Sequence, residues 1–105
     1  MTNINAELVS LKRNSLNNYR RLYNYISNLL ISISNSIDLY TNIINIVSSN
    51  YKVDGEKIKV VDSMKKNKES LSNIYSYLKD IILVNISAEI NKIQFFLSTS
   101  ESENI

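Results

Sequence analysis

Residues 19–47 read YRRLYNYISNLLISISNSIDLYTNIINIV. Within them Tyr19, Leu22, Ile26, Leu29, Ile33, Ser36, Tyr40, Ile43 and Val47 fall alternately three and four residues apart, and eight of the nine are apolar. That spacing keeps one stripe on one side of a helix and is the heptad seam of a helix packed against another. The alternation in Ile31-Ser32-Ile33-Ser34 also fits a strand, and isoleucine favours strands. No turn residue bounds that piece, however, and the three-four rhythm runs straight through it. A long helix is the expected structure. Upstream the projected seam meets Ser15 and Lys12 before Leu8, so the first turns are expected to be the weakest.

The other half of the chain answers with a second stripe. Val61, Met64, Leu71, Ile74, Leu78, Ile82, Ile86, Ile90, Ile93 and Leu97 keep steps of three or four once Lys68 is counted as a polar interruption. From Ile74 to Ile90 every step is four. A run of fours drifts around a 3.6-residue helix and should locally disturb a left-handed supercoil there. Ile58-Lys59-Val60 alternates as a strand would, which leaves the start of this helix the less secure.

Between the stripes lies the one glycine, Gly55, in a chain with no proline and no cysteine. Glycine supplies the backbone freedom that turns need, and proline is the usual interrupter of helices. The chain is therefore expected to be all-α, a long antiparallel hairpin over 1–98. One helix covers about 5–48, a turn about 49–55 carries Val53, Asp54 and Gly55, and a second helix covers about 56–98. Asn5 and Asp54 are expected to cap the two helices, with Glu7 and Glu56 in their first turns. Residues 99–105, polar and acidic, are expected to form a disordered tail.

Composition bounds the function. The 105 residues make one domain at most. Asn, Ser and Ile occur 16 times each, a bias that an AT-rich coding sequence alone would produce. Net charge is +2, and the densest basic run, Lys65, Lys66 and Lys68, stops at Glu69. Nucleic-acid binding needs a longer stripe of phosphate-reaching side chains. Without His, Cys or a glycine-rich phosphate loop, and with Asp38, Asp54, Asp62, Asp80 and Glu89 scattered, no residue set is placed to run a reaction or hold a metal or cofactor. The sequon Asn85-Ile86-Ser87 falls on an expected packed face. No apolar run reaches the ~18 residues of a membrane span, and the N-terminus lacks the basic-then-apolar pattern of a secretory signal.

A two-helix hairpin hides one stripe per helix, and this chain has more apolar residues than that. Off the expected seam lie Tyr23, Leu30, Ile31, Ile37 and Ile44 on the first helix, and Tyr75, Ile81, Val84, Phe95 and Phe96 on the second. With the turn near residue 53, Leu22–Ile31 should face roughly Tyr75–Val84, so the surplus residues would meet at one level. Large exposed apolar patches mark interfaces, and these residues are the expected partner surface. The competing arrangement folds residues 1–16 back over the patch.

A chain of this size, folded as two similar helices around a central glycine turn, resembles the WXG-type small proteins of type VII secretion, and more closely the small helical partners of LXG-domain toxins. The family's Trp-x-Gly turn falls on Val53-Asp54-Gly55, where the glycine matches and the aromatic does not. The family's export signal is an aromatic followed four residues later by an acidic residue. Here Phe96 is followed by Ser100, with Glu101 one place later. The resemblance implies a cytoplasmic, non-enzymatic targeting chaperone without a Sec signal, exported if at all with its partner. That partner would be the helical domain of a secreted effector, a second small helical protein, or both. Self-association into a four-helix homodimer and a membrane-active helical protein are the alternatives.

Overall fold

The computed structural model describes the backbone of residues 2–50 and 55–103, with side chains over 5–49 and 55–100. Helix α1 runs from Thr2 to Asn50, 49 residues with no proline or glycine to stop it. Its many Ser and Thr residues fit because their hydroxyls bond back along the helix: Ser36 Oγ donates to the Ser32 carbonyl at 3.1 Å, Thr41 Oγ1 to Ile37 at 2.9 Å and Ser49 Oγ to Asn45 at 2.7 Å. The second arm comprises α2 (Gly55–Tyr77), a π-turn (Leu78–Ile82) and α3 (Leu83–Glu103). It packs along α1 to make a rod of 77 × 15 × 15 Å. The described residues contain no strand, and both segments that alternate like strands are helical.

The helices are longer than the composition suggested. Asn5 lies inside α1 rather than capping it. At the other end α3 continues to Glu103, past the expected stop at 98, so residues 99–103 are helix and not tail. Leu97 there is buried against Leu16 and Ile93, Phe96 packs on the same cluster, and the Lys12 ammonium stands 5.7 Å from the Phe96 ring. These contacts tie down the last turns.

The α1 seam also differs from the expected one at four of the nine expected positions. Val9, Lys12, Leu16, Tyr19, Tyr23, Ile26, Leu30, Ile33, Ile37, Tyr40, Ile44 and Val47 face the second arm, and all but Tyr23 are buried or half-buried. The two frames share Tyr19, Ile26, Ile33, Tyr40 and Val47. At the alternate positions Leu22, Leu29 and Ser36 are exposed and Ile43 is half-buried. The apolar band on α1 is broad enough to satisfy either frame locally. What separates them is Ile37 in place of Ser36, and the extension toward the N-terminus, where the observed frame meets Val9 and Leu16 instead of Leu8 and Ser15.

The second arm shows how a run of fours is resolved. Lys57, Val61, Met64, Lys68, Leu71, Tyr75, Leu78 and Ile82 follow a strict alternation of four and three and are all half-buried. Continued, it would place Asn85, Glu89, Lys92 and Phe96 inward. The fully buried positions are instead Ile86, Ile93 and Leu97, with Ile90 and Ser100 half-buried on the same stripe, each one residue later; Asn85 and Lys92 are exposed and Glu89 and Phe96 only half-buried. The π-turn stands at the change, with the Leu83 N–H donating to the Leu78 carbonyl five residues back. A wider turn absorbs the single extra residue locally, so the arm keeps its seam without unwinding the whole supercoil. Ile74, expected on the seam, lies outside it and exposed, and Tyr75 takes its place. Deleting the exposed Asp80 should therefore turn this segment into continuous α-helix with an unbroken seam. Thermal unfolding should show a melting temperature equal to or above that of the parent; a fall of more than about 5 °C would mean the π-turn is needed for packing.

Gly55 is the first residue of α2, no described residue has a positive φ, and a Cβ added there would meet nothing within 4 Å. It is therefore not a left-handed pivot. Val53 and Asp54, with the proposed cap, lie outside the described residues. Because Gly55 already has helical geometry, Gly55→Ala should raise stability by about 0.5–1 kcal/mol through the unfolded chain. Gly55→Pro should also be tolerated, since proline suits the first helical position. Chemical denaturation of both variants checks this.

Candidate functional site

The core is a set of layers between the arms. Leu16, Ile93 and Leu97 form one cluster, joined by Val9, Tyr19, Ile90 and Phe96. Ile26, Leu30 and Ile86 form another, with Tyr75, Leu78, Ile82 and Leu83 packed on it. Leu30 and Ile44, expected on the partner surface, are each 8% exposed and belong to the hairpin itself. Ile37, Tyr75 and Phe96 are half-buried in the same seam region. The correct frame explains Leu30, Ile37, Ile44 and Tyr75, whose positions face the other arm; Phe96, one place before Leu97, packs against the edge of the Leu16, Ile93 and Leu97 cluster.

The rest of the expected surface is exposed but divided. In an antiparallel helix pair, the positions one residue before each seam residue lie on the same flank of both helices. On α1 these are Leu22, Tyr25, Leu29, Ser32, Ser36, Leu39, Ile43 and Ile46. On the second arm they are Val60, Ser63, Asn67, Ser70, Ile74, Tyr77 and Ile81. No charged residue occurs among them, although Glu56, one place before Lys57, stands at the start of this flank on the second arm. Leu22, Tyr25, Leu29, Ile74, Tyr77 and Ile81 are exposed, and the seam residues between them, Ile26, Leu30, Leu78 and Ile82, share one cluster. They therefore sit side by side. At on the order of 100 Å2 each they reach the largest patch that a monomer usually shows. Ile81 and Tyr23 belong to or border this flank. Ile31 lies on the opposite one.

Apart from Ile31 and Ile58, that opposite flank is mostly polar. It carries Arg13, Arg20, Ser27, Ser34, Thr41 and Ser48 on α1, and Asp62, Lys65, Glu69, Ser72, Ser76 and Lys79 on the second arm. Past the π-turn the apolar flank ends as well. Its positions there are Asn85, Glu89 and Lys92, the last two joined by an exposed ion pair at 3.3 Å, before the half-buried Phe96. The extra residue rotates Val84 and Phe95, 58% and 74% exposed, toward the back of the rod. Sequence periodicity could not locate the flank, because its position follows from the seam frame and from the place of the inserted residue.

Among the described residues no group of three His, Cys, Asp or Glu converges on a point. No described side chain combines burial with an unpartnered polar atom. In the sequon, Asn85 is exposed while Ile86 is buried. Comparison with protein-family models, curated proteins and solved structures finds no match to the chain. The segment Gly55–Ser100 is long and apolar enough to cross a membrane by length and composition alone, with 17% of its most apolar window buried. The expectation of no span rested on unbroken apolar runs, whereas here charged residues interrupt an apolar average. Core helices of ordinary proteins meet the same criterion.

Proposed function

We propose that the chain is a non-enzymatic helical adaptor, whose apolar flank receives the helical domain of a protein partner to complete a bundle. The resemblance to partners of LXG toxins makes that partner a type VII secreted effector. The observation that carries the reading is the asymmetry of the two flanks. One carries no charge at its positions over 22–46 and 60–81, with Leu22, Tyr25, Leu29, Ile74, Tyr77 and Ile81 exposed; the other is mostly polar and charged, with Ile31 and Ile58 as its exposed apolar side chains. A rod that only had to stay soluble would gain nothing from that division. Tyr25 and Tyr77 suit a surface that is wet before binding and dry after, because a tyrosine buries its ring and keeps a hydroxyl for hydrogen bonding.

Co-expression with the helical N-terminal domain of an LXG effector, followed by native mass measurement, tests the proposal. The expected result is a stoichiometric complex. A folded monomer that takes no partner overturns the proposal, and a mass of two chains assigns the flank to a second copy. The apolar average of 55–100 supports a second reading, in which the flank lies on lipid. Flotation with anionic phosphatidylglycerol vesicles separates the two: an adaptor stays with the protein fraction, and a membrane-active chain floats.

A further inference from the structure

The two halves of the rod are packed unequally. Both core clusters lie toward the chain termini, built from Leu16, Ile26 and Leu30 against Ile86, Ile93 and Leu97. On the bend side, among described residues 31–49 and 55–77, Ile44 is the one buried side chain. The reason is in the sequence. The bend-side seam of the second arm is Lys57, Val61, Met64, Lys68 and Leu71, with lysines at two of its five places, whereas beyond the π-turn the seam is Ile86, Ile90, Ile93 and Leu97. A lysine can lay its stem on the seam only while its ammonium reaches water. Where Val47 and Ser48 meet Ile58, Val61 and Lys65, the arms leave an open cleft of about 220 Å3.

The π-turn stands at the border between these halves. It interrupts the regular i→i−4 hydrogen-bond ladder, so α2 and α3 are separate helical segments joined by a wider turn. Local opening follows low burial and sparse packing. We infer that the hairpin opens from its bend: α2 and the facing part of α1 part from each other while the terminal clusters stay closed. Opening uncovers Ile33, Ile37, Tyr40, Ile44 and Val47 with Val61, Met64 and Leu71. These residues are continuous with the apolar flank. On the adaptor reading, which the inference deepens, the bend half is where a partner helix gains seam contacts beyond those of the closed flank.

Amide hydrogen exchange of the intact chain, alone and under native conditions, tests the opening independently of any partner. Amides of 34–49 and 57–74 should exchange at least about tenfold faster, relative to their intrinsic rates, than those of 16–30 and 86–97. Ile44→Ala should widen the gap, accelerating the bend half while leaving the terminal half unchanged. Uniform protection in both halves, or an Ile44→Ala effect spread equally over the chain, overturns the inference. Segmental exchange in a chain that binds no partner would refute the adaptor reading and leave the opening in place.

Discussion

Ile86→Asp is expected to unfold the hairpin. Ile86 is 6% exposed, sits just past the π-turn and closes the cluster of Ile26 and Leu30. An aspartate there loses the apolar contacts of the isoleucine and brings a carboxylate among aliphatic side chains. Burial of an unpaired charge combined with loss of a core residue places the cost at about 4 kcal/mol or more, a large fraction of a typical domain's stability of about 5–15 kcal/mol. Far-UV circular dichroism at 25 °C should show most of the helix lost, because a long helix without tertiary packing is only marginally stable in water. Ile86→Val is the control and should cost about 1 kcal/mol. Were Ile86→Asp to keep parental helicity and melting temperature, the seam beyond the π-turn would not run through residue 86.

The same kind of change on the flank should do the opposite. Tyr25 and Tyr77 are 68% and 54% exposed, so Tyr25→Glu with Tyr77→Glu removes no core contact, and glutamate is a good helix former. Stability should move by no more than about 0.5 kcal/mol per site, as for surface substitutions generally. Partner binding should fall at least about a hundredfold, because aromatic anchors at the centre of an interface carry about 2 kcal/mol or more each and the new charges would be desolvated. Isothermal titration of purified partner into both proteins, beside their melting curves, separates the effects. Binding that survives the double substitution would place the interface elsewhere on the rod.

The hairpin was legible because the decisive signals are long-range and redundant. Periodicity over roughly 40 residues outweighs the strand preference of Ile31-Ser32-Ile33, and one unbroken stretch on each side of the middle leaves few alternatives to two helices. The disturbance between Ile74 and Ile90 was legible too, as a run of fours, though not its form as a π-turn. The exact seam was not. Leu22 and Tyr23, or Leu29 and Leu30, are neighbours 100° apart and both apolar, so local spacing leaves the frame undecided. Leu16 and Val9 upstream, and Ile37 in place of Ser36 within the stretch, break the tie. That ambiguity placed the buried Leu30 and Ile44 among the surplus surface residues and the exposed Leu22 and Leu29 on the seam. Gly55 carried a different error: glycine's rarity in the chain made it look like a required hinge, whereas its backbone is ordinary helix.

The central claim is that the hairpin carries one spare apolar flank for a helical partner. Native mass spectrometry of the chain co-expressed with the helical domain of an LXG effector is the test, with the Tyr25→Glu, Tyr77→Glu variant run beside the parent. The account predicts a complex of fixed stoichiometry for the parent and a folded, free chain for the variant. A folded monomer in both samples would contradict it.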